Sequence, residues 1–342
     1  MLPDVDLLVL GGGCAGLSLG LRLAEQPATS RRTLILDARS EYVNDRTWCF
    51  WRLAPHRFEH LVSHAWPAMV IRSRQRSVNV DCRRTPYQML EALPFYAAAQ
   101  AAIARSDSVE LWLGTAVHEL PRRVGDGWRV DTEAGAVTAR CIVDTRPPRP
   151  PRLDDATLWQ SFFGQEIACD AAVFDPSKVG LMDFAEGRAD GVLFHYVLPS
   201  SPYCALIETT VFGPRPLSAA SLAGLQSAAV DRLRLGAGFA VRRAESGVLP
   251  MGMTARVPPP GPGYCHAGLM SGAARPSTGY AFQRIQRWAD AAAAHSATGG
   301  TRRCNGPWTG CFCRFFAAIP TARPTCSRVC SATSTQRVSS AS

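Results

Sequence analysis

The first apolar run of the chain, "VDLLVL" at residues 5–10, stops at three consecutive glycines, Gly11, Gly12 and Gly13. Behind it "CAGLSLGLRLAEQ" places its apolar residues at helical spacing, and "RTLILDA" is a second short apolar run. Periodicity therefore predicts strand, turn, helix and strand. Residues 84–104, containing "YQMLEALPFYAAAQAAIA", predict a helix. "VELWLGTAV", "GWRVDTE" and "GAVTARCIVDT" predict strands, with a turn at 125–127. After the proline-rich crossing "RPPRPPRL" (146–153), the runs "SFFGQEI", "GVLFHYVLPSS" and "CALIETTVF" predict a second sheet. Residues 218–235 predict a helix, "PPPGPG" (258–263) a loop, and "GYAFQRIQRWADAAAA" a further helix.

The glycines of the first turn fall as G-x-G-x-x-G. Gly11 allows the tight turn, Gly13 lets the backbone approach a pyrophosphate, and Gly16 lets helix and strand pack closely. Gly12 and Ala15 complete the cradle, whose helix N-terminus turns free N–H groups toward the phosphates. Asp37 ends the second strand 21 residues after Gly16, where a carboxylate hydrogen-bonds an adenosine ribose hydroxyl. The strands that follow match the small meander and returning strand of many FAD proteins. The expected fold class is α/β, a Rossmann-like FAD-binding three-layer domain with an interleaved antiparallel-sheet substrate domain. Its discontinuous FAD-binding part is expected at 1–80, 101–150 and 240–295, and the substrate side at 81–100 and 151–239.

Composition narrows the class. Apolar content is 46% and charged content 19%, as in an ordinary globular protein. Of the net charge of +9, six positive charges come from the arginines after Asp290, where no acid follows, so no nucleic-acid partner is expected. Five of the twelve cysteines crowd into 304–330 without paired C-x2-C knuckles or a nearby histidine, so no metal site is expected. The most apolar stretch, 5–24, contains Asp6 and Arg22 and lacks a basic leader, which points to a cytoplasmic protein.

Two further stretches carry chemistry. "VNDRTWCFWR" at 43–52 packs Trp48, Phe50 and Trp51 beside the expected cofactor edge, with Asp45 and Arg46 at that edge. "AGLMSGAARPSTGYAFQRIQRWAD" at 267–290 sets Ser277, Thr278 and Gly279 before a helix, a second anion-binding N-terminus for the flavin or its pyrophosphate. With "ALIETT", "RTPY" followed by "FYAAA", and "LWQSFFGQEI", these segments resemble bacterial lycopene beta-cyclases of the carotenoid pathway. The resemblance runs from about residue 4 to 295.

That resemblance implies an enzyme that closes the psi-ends of lycopene into beta-rings, an isomerisation without net redox change. It implies FAD acting in its reduced form, NAD(P)H as reductant, and a polyene reached by peripheral contact with a membrane. Trp48, Phe50 and Trp51 would then line a polyene channel, their faces steadying a cation; the alternative is packing at the domain interface. Glu208, between apolar residues of "ALIETT", is the candidate acid, since desolvation raises a carboxyl pKa; Asp183 of "GLMDF" is a candidate second carboxylate. His195 reads as a satisfied core histidine, and Cys49 is assigned nothing. A reductase or monooxygenase acting on a hydrophobic isoprenoid is the alternative activity, and an inactive flavin-binding copy a third reading. Residues 296–342 lack periodicity and read as an atypical tail, frameshifted or disordered. One back-translation of "PWTGCFC", displaced by a base, gives Leu-Asp-Gly-Leu-Phe-Leu.

Overall fold

The computed structural model describes residues 5–26, 31–147, 153, 156–184, 187–236, 238–253 and 260–297. The tail at 296–342, with the frameshift expected there, lies outside the described residues except for its first two positions. The chain opens with β1 (Val5–Leu10), α1 (Cys14–Ala24), β2 (Thr33–Leu36), β3 (Thr47–Trp51), β4 (Val62–Trp66), β5 (Ala68–Ser73), β6 (Ser77–Asp81) and β7 (Tyr87–Glu91). There follow α2 (Ala92–Ile103), β8 (Val109–Trp112), β9 (Arg122–Val124), β10 (Gly127–Thr132) and β11 (Gly135–Asp144). The remainder comprises β12 (Ala156–Cys169), β13 (Lys178–Phe184), β14 (Val192–Ser201), β15 (Cys204–Gly213), α3 (Ala219–Arg232), β16 (Phe239–Met253), β17 (Tyr264–His266) and α4 (Phe282–Ala297).

Three sheets result. The nucleotide sheet runs β8-β2-β1-β11-β10-β9, with β17 joining β11; β1, β2, β8, β11 and β17 pair in parallel. A large sheet, β16-β12-β15-β14-β13-β5-β6, is antiparallel except where β13 meets β5. A small sheet, β3-β7-β4, is built from strands between β2 and β8, with β5 and β6 of the large sheet interposed in sequence. Because β1 and β2 are covered on both faces they read as continuous apolar runs rather than alternating ones. α1 is buried along almost its whole length, packed by α2 and α4. Arg22, nearly fully buried, fixes α4 by an ion pair of 2.6 Å to Asp290, and Gln286 donates to Ser18 Oγ at 2.9 Å.

The partition differs from the expected one. Residues of β5, β6 and β16, expected in the FAD-binding part, belong to the large sheet, whereas α2, largely expected on the substrate side, packs on α1. Residues 84–104 are not one helix: Tyr87–Glu91 is the central strand of the small sheet, and the helix starts at Ala92. As a central strand β7 is buried over four consecutive residues, so it shows no alternation and, joined directly to a helix, reads as part of one apolar run. Residues 47–51, given no element in the sequence, form a strand paired with β7.

Trp66 shows how the large sheet is held to the small one. It is fully buried, packs among Tyr87, Phe194 and Leu206, and donates its indole N–H to Pro199 O at 2.9 Å. Trp66→Ala is expected to cost about 3–5 kcal/mol, read as a lower midpoint in denaturant unfolding with an unchanged slope.

Candidate active site

A cavity of about 500 Å³ opens between the β1–α1 turn and the large sheet. Its first wall is the glycine turn. Gly11 has φ +97°, a left-handed conformation that glycine alone adopts without strain. A Cβ on Gly16 would collide with the carbonyl oxygen of Gly11, so only glycine lets α1 lie this close to the turn. Gly13 is the N-cap of α1, and a Cβ there would meet nothing within 4 Å, because it faces the cavity together with Cys14 and Ala15. The free N–H groups of the first helical turn thus border an open space of the kind a pyrophosphate fills.

Asp37 is placed differently from expectation. It is buried, Oδ2 accepting the Gly12 N–H at 2.8 Å and Arg39 Nη2 at 2.8 Å. Oδ1 accepts the Arg39 backbone N–H at 2.8 Å and Nε at 3.1 Å. Four donors fill a carboxylate's capacity, so Asp37 locks the glycine turn from behind, outside the cavity wall. The group that reaches the cavity there is Arg39, whose guanidinium lies 4.6 Å from the Tyr42 ring centre and 5.2 Å from that of Tyr96. Burial pushes the Tyr96 phenol up to about 12.

Opposite stands the second glycine turn. Gly279 (φ +71°) lines the cavity, whereas Ser277 is exposed and Thr278 only half-buried, and neither borders it. Gln160, from β12, lies against Gly279; its Oε1 is buried without a hydrogen-bond partner among the described residues, and the residue borders the cavity. Such an orphaned acceptor is what a bound group with N–H donors satisfies. The glycine cradle and this acceptor together fit a flavin dinucleotide. Arg46, exposed at the rim, donates to Ser246 O at 3.1 Å.

The third wall is the large sheet. Register aligns Glu245 (β16), Gly164 (β12), Glu208 (β15) and Tyr196 (β14) in one row on one face. Glu208 lines the cavity and accepts the Thr210 hydroxyl at 2.7 Å. Desolvation first, and then the nearby Glu245, raise its pKa to about 8, against the lowering effect of the Thr210 bond. Tyr87, Tyr196 and Tyr280 surround it, with Tyr87 and Tyr280 hydroxyls 2.7 Å apart. Burial lifts all three phenols, Tyr280 to about 12, so they stay neutral donors. Cys49 also borders the cavity, its thiol kept protonated by burial and by the charges of Glu208 and Glu245.

Asp183 is not part of this group. It pairs with His195, whose Nδ1 bonds Thr209 Oγ1 at 3.0 Å, and Thr209 in turn donates to Gln226 of α3. That is the α3 face of the sheet, opposite to Glu208. A bulge between Gly180 and Asp183 sets three residues against two of β14; without it Asp183 would oppose Phe194 on the cavity face. His195 is buried and burial lowers its pKa, while its Nε2 has no hydrogen-bond partner among the described residues.

The three aromatics of β3 separate as well. Trp48 lines the cavity, stacks on Phe282 at 5.3 Å and meets Phe95 edge-on at 5.3 Å. Phe50 is buried against Phe282 at 5.0 Å, and Trp51 packs on Tyr87 at 4.9 Å; neither borders the cavity. Phe50 packs between the small sheet and α4, and Trp51 packs in the cluster between the small and large sheets, the packing reading of this stretch. Glu245, Cys49, Arg39 and the tyrosines were not singled out in the sequence. Strand alternation in 239–253 is the one local signal that could have flagged Glu245.

Solved structures share this architecture. Over 93% of this chain and 87% of the other, it matches p-nitrophenol 4-monooxygenase PnpA from Pseudomonas putida, with a TM-score of 0.67 at 14% identity. A geranylgeranyl bacteriochlorophyll reductase-like protein from Thermoplasma acidophilum matches over 86% and 79%, with a TM-score of 0.63 at 12% identity. The L111Y mutant of halogenase PltM, solved in complex with FAD, matches over 86% and 71%, with a TM-score of 0.57 at 13% identity. The fold is thus that of the FAD-dependent monooxygenase and reductase class. Within it, the chain belongs to the lycopene cyclase protein family, whose model matches residues 6–325. The match passes residue 295, where the motif resemblance was expected to end.

Among curated proteins, a lycopene beta-cyclase of Pantoea ananas is 29% identical over 218 residues, 61% of this chain and 53% of the relative. A lycopene beta-cyclase of Paracoccus sp. is 28% identical over 321 residues, 88% of this chain and 76% of the relative. The first match spans about half the relative's length.

Proposed function

We propose that the chain is a flavin-dependent lycopene beta-cyclase that converts psi-ends to beta-rings without net redox change. The observation that carries this reading is Glu208: a carboxyl with its pKa raised to about 8, bordering a tyrosine- and tryptophan-lined cavity continuous with the glycine cradle. Glu208 gives its proton to the terminal alkene of a psi-end, forming a C–H bond and leaving a tertiary cation. An inner double bond attacks that cation and closes the ring. Loss of a proton from the carbon beside the new cation restores a double bond, and Glu208 takes that proton back. One proton enters and one leaves, so atoms and electrons balance.

Each further role follows from position. Gly11, Gly12, Gly13, Ala15 and Gly16 shape the FAD pyrophosphate site, Asp37 holds that turn closed, and Arg39 faces the adenosine end. Gly279 and Gln160 hold the flavin end, with Ser277 and Thr278 forming the turn behind it. Reduced flavin, replenished from NAD(P)H, supplies electron density beside the cation when bound. Trp48, Tyr196 and Tyr280 offer aromatic faces to the same charge and keep water out. Among the described residues no helix is long and apolar enough to cross a membrane. Peripheral contact at the cytoplasmic face is supported by exposed Val173, Tyr203, Phe239 and Val241, which cluster at one end of the large sheet.

Because Glu208 must carry its proton to act, kcat/KM is expected to be level below about pH 7 and to fall about tenfold per pH unit above pH 8. The same raised pKa makes the carboxyl's contribution to stability full below its ordinary range and lost as pH rises through about 8. Pigment analysis of a lycopene-accumulating bacterial host expressing the chain tests the function. Appearance of beta-carotene is the expected outcome; unchanged lycopene in the presence of soluble, flavin-loaded protein would refute it.

A further inference from the structure

Glu208 does not stand alone on its sheet face. Two strands away in the same cross-strand row stands Glu245, and the residue between them, Gly164, has no side chain. Alternate strands lie about 10 Å apart, so side chains of this length reach toward each other over a bare backbone. A Cβ on Gly164 would already stand 3.4 Å from Glu208 Cβ. Glu245 is buried, and its Oε2 accepts Arg243 Nη1 at 2.6 Å and the Thr47 hydroxyl at 2.7 Å. Arg243 also donates to Glu166 Oε2 at 2.7 Å and to Thr47 at 2.9 Å. One guanidinium is therefore shared by two carboxylates, and the trio keeps a net negative charge.

We propose that Glu245 is a positioning residue of the reaction, an anion pinned by Arg243 and Thr47 whose charge across Gly164 holds the proton on Glu208. The other groups around Glu208 do not supply such a charge. They are Thr210 on its own strand, Tyr196 on β14, Cys49 on β3, Tyr87 on β7 and Tyr280 before α4, all neutral hydroxyls or a thiol. Two carboxylates that face each other cannot both ionise cheaply, and the guanidinium partner stands on the Glu245 side. The environments thus divide the roles, with Glu245 ion-paired to Arg243 and Glu208 desolvated without a cationic partner among the described residues.

This inference rests on Glu208 being the acid, so the test reads the carboxyl itself as well as turnover. The full flavin-loaded chain, labelled with 13C at glutamate carboxyls, is titrated by NMR, the Glu208 signal being assigned by its loss in Glu208→Gln. In Glu245→Gln, whose amide still accepts from Thr47 and Arg243, the Glu208 midpoint is expected to fall by about one pH unit, a tenfold loss of proton affinity. The alkaline limb of kcat/KM moves down with it, and Glu245→Asp restores both toward wild type. Should Glu245→Gln fail to fold, Thr47→Val leaves the Glu245 charge in place with one donor fewer, so the Glu208 midpoint is expected to stay or rise, and a fall would overturn the proposal. An unmoved midpoint in the folded variant overturns the proposal even if the wild type converts lycopene. A moved midpoint in a protein that leaves lycopene unchanged refutes the cyclase reading alone.

Discussion

Glu208→Gln is expected to lower lycopene conversion by about 10²–10⁴-fold, the range that a positioned general acid supplies. The amide keeps the volume and can still accept the Thr210 hydroxyl, which lies 2.7 Å from Oε1 in the native chain. What is lost is the transferable proton. Flavin content and thermal midpoint are expected to stay near wild type, because the glycine cradle lies on the opposite wall of the cavity. Glu208→Asp keeps the proton but withdraws it by one methylene, and about a 1 Å misplacement can cost on the order of 10²-fold. Its activity is expected to fall between the other two. Turnover by the Gln variant within tenfold of wild type would remove Glu208 from the mechanism.

Gly13→Val is expected to abolish flavin binding while leaving the fold intact. Among the described residues no atom lies within 4 Å of the Cβ position at Gly13, and its φ of −77° and ψ of −165° suit a β-branched residue. The valine methyls would instead occupy the space before the helix N-terminus, where the phosphates need direct access to N–H groups. Flavin affinity is expected to drop at least about a hundredfold, or about 2.7 kcal/mol, by fluorescence titration, with a thermal midpoint of the flavin-free protein within a few degrees of wild type. Gly16→Ala is the contrast, since its Cβ would strike the Gly11 carbonyl, and it should lower both affinity and stability. Full flavin binding by Gly13→Val would place the cofactor elsewhere.

What could be read from the sequence was the part whose signals are local. Residues 5–37 announce strand, turn and helix in consecutive positions, and the structure has all three within two residues of the expected places. Glu208 was legible because an acid interrupts a run of apolar, buried strand residues. Asp183 entered on its match to an acidic position of the resembled family, and the face it takes is set by a bulge in β13 that no residue type announces. Asp37 was correctly placed at a strand end, but the arginine two residues on, which occupies its oxygens, carried no motif. Alternation in 239–253 could mark Glu245 as inward-facing, but its place beside Glu208 needs the pairing of β12 with β16, which joins positions 164 and 245 across 81 residues of chain. Long-range register is where local patterning stops.

The central claim is a proton given to the polyene and another taken from it, and solvent isotope incorporation tests it most directly. The full chain with reduced flavin is incubated with lycopene in D2O, where the Glu208 carboxyl exchanges with solvent between turnovers, and the product is analysed by mass spectrometry with NAD(P)H followed in parallel. Beta-rings that each carry one solvent deuterium, formed without stoichiometric NAD(P)H consumption, are the predicted result. Product lacking solvent deuterium, or one NAD(P)H oxidised per turnover, would contradict the mechanism and favour a reductase or monooxygenase.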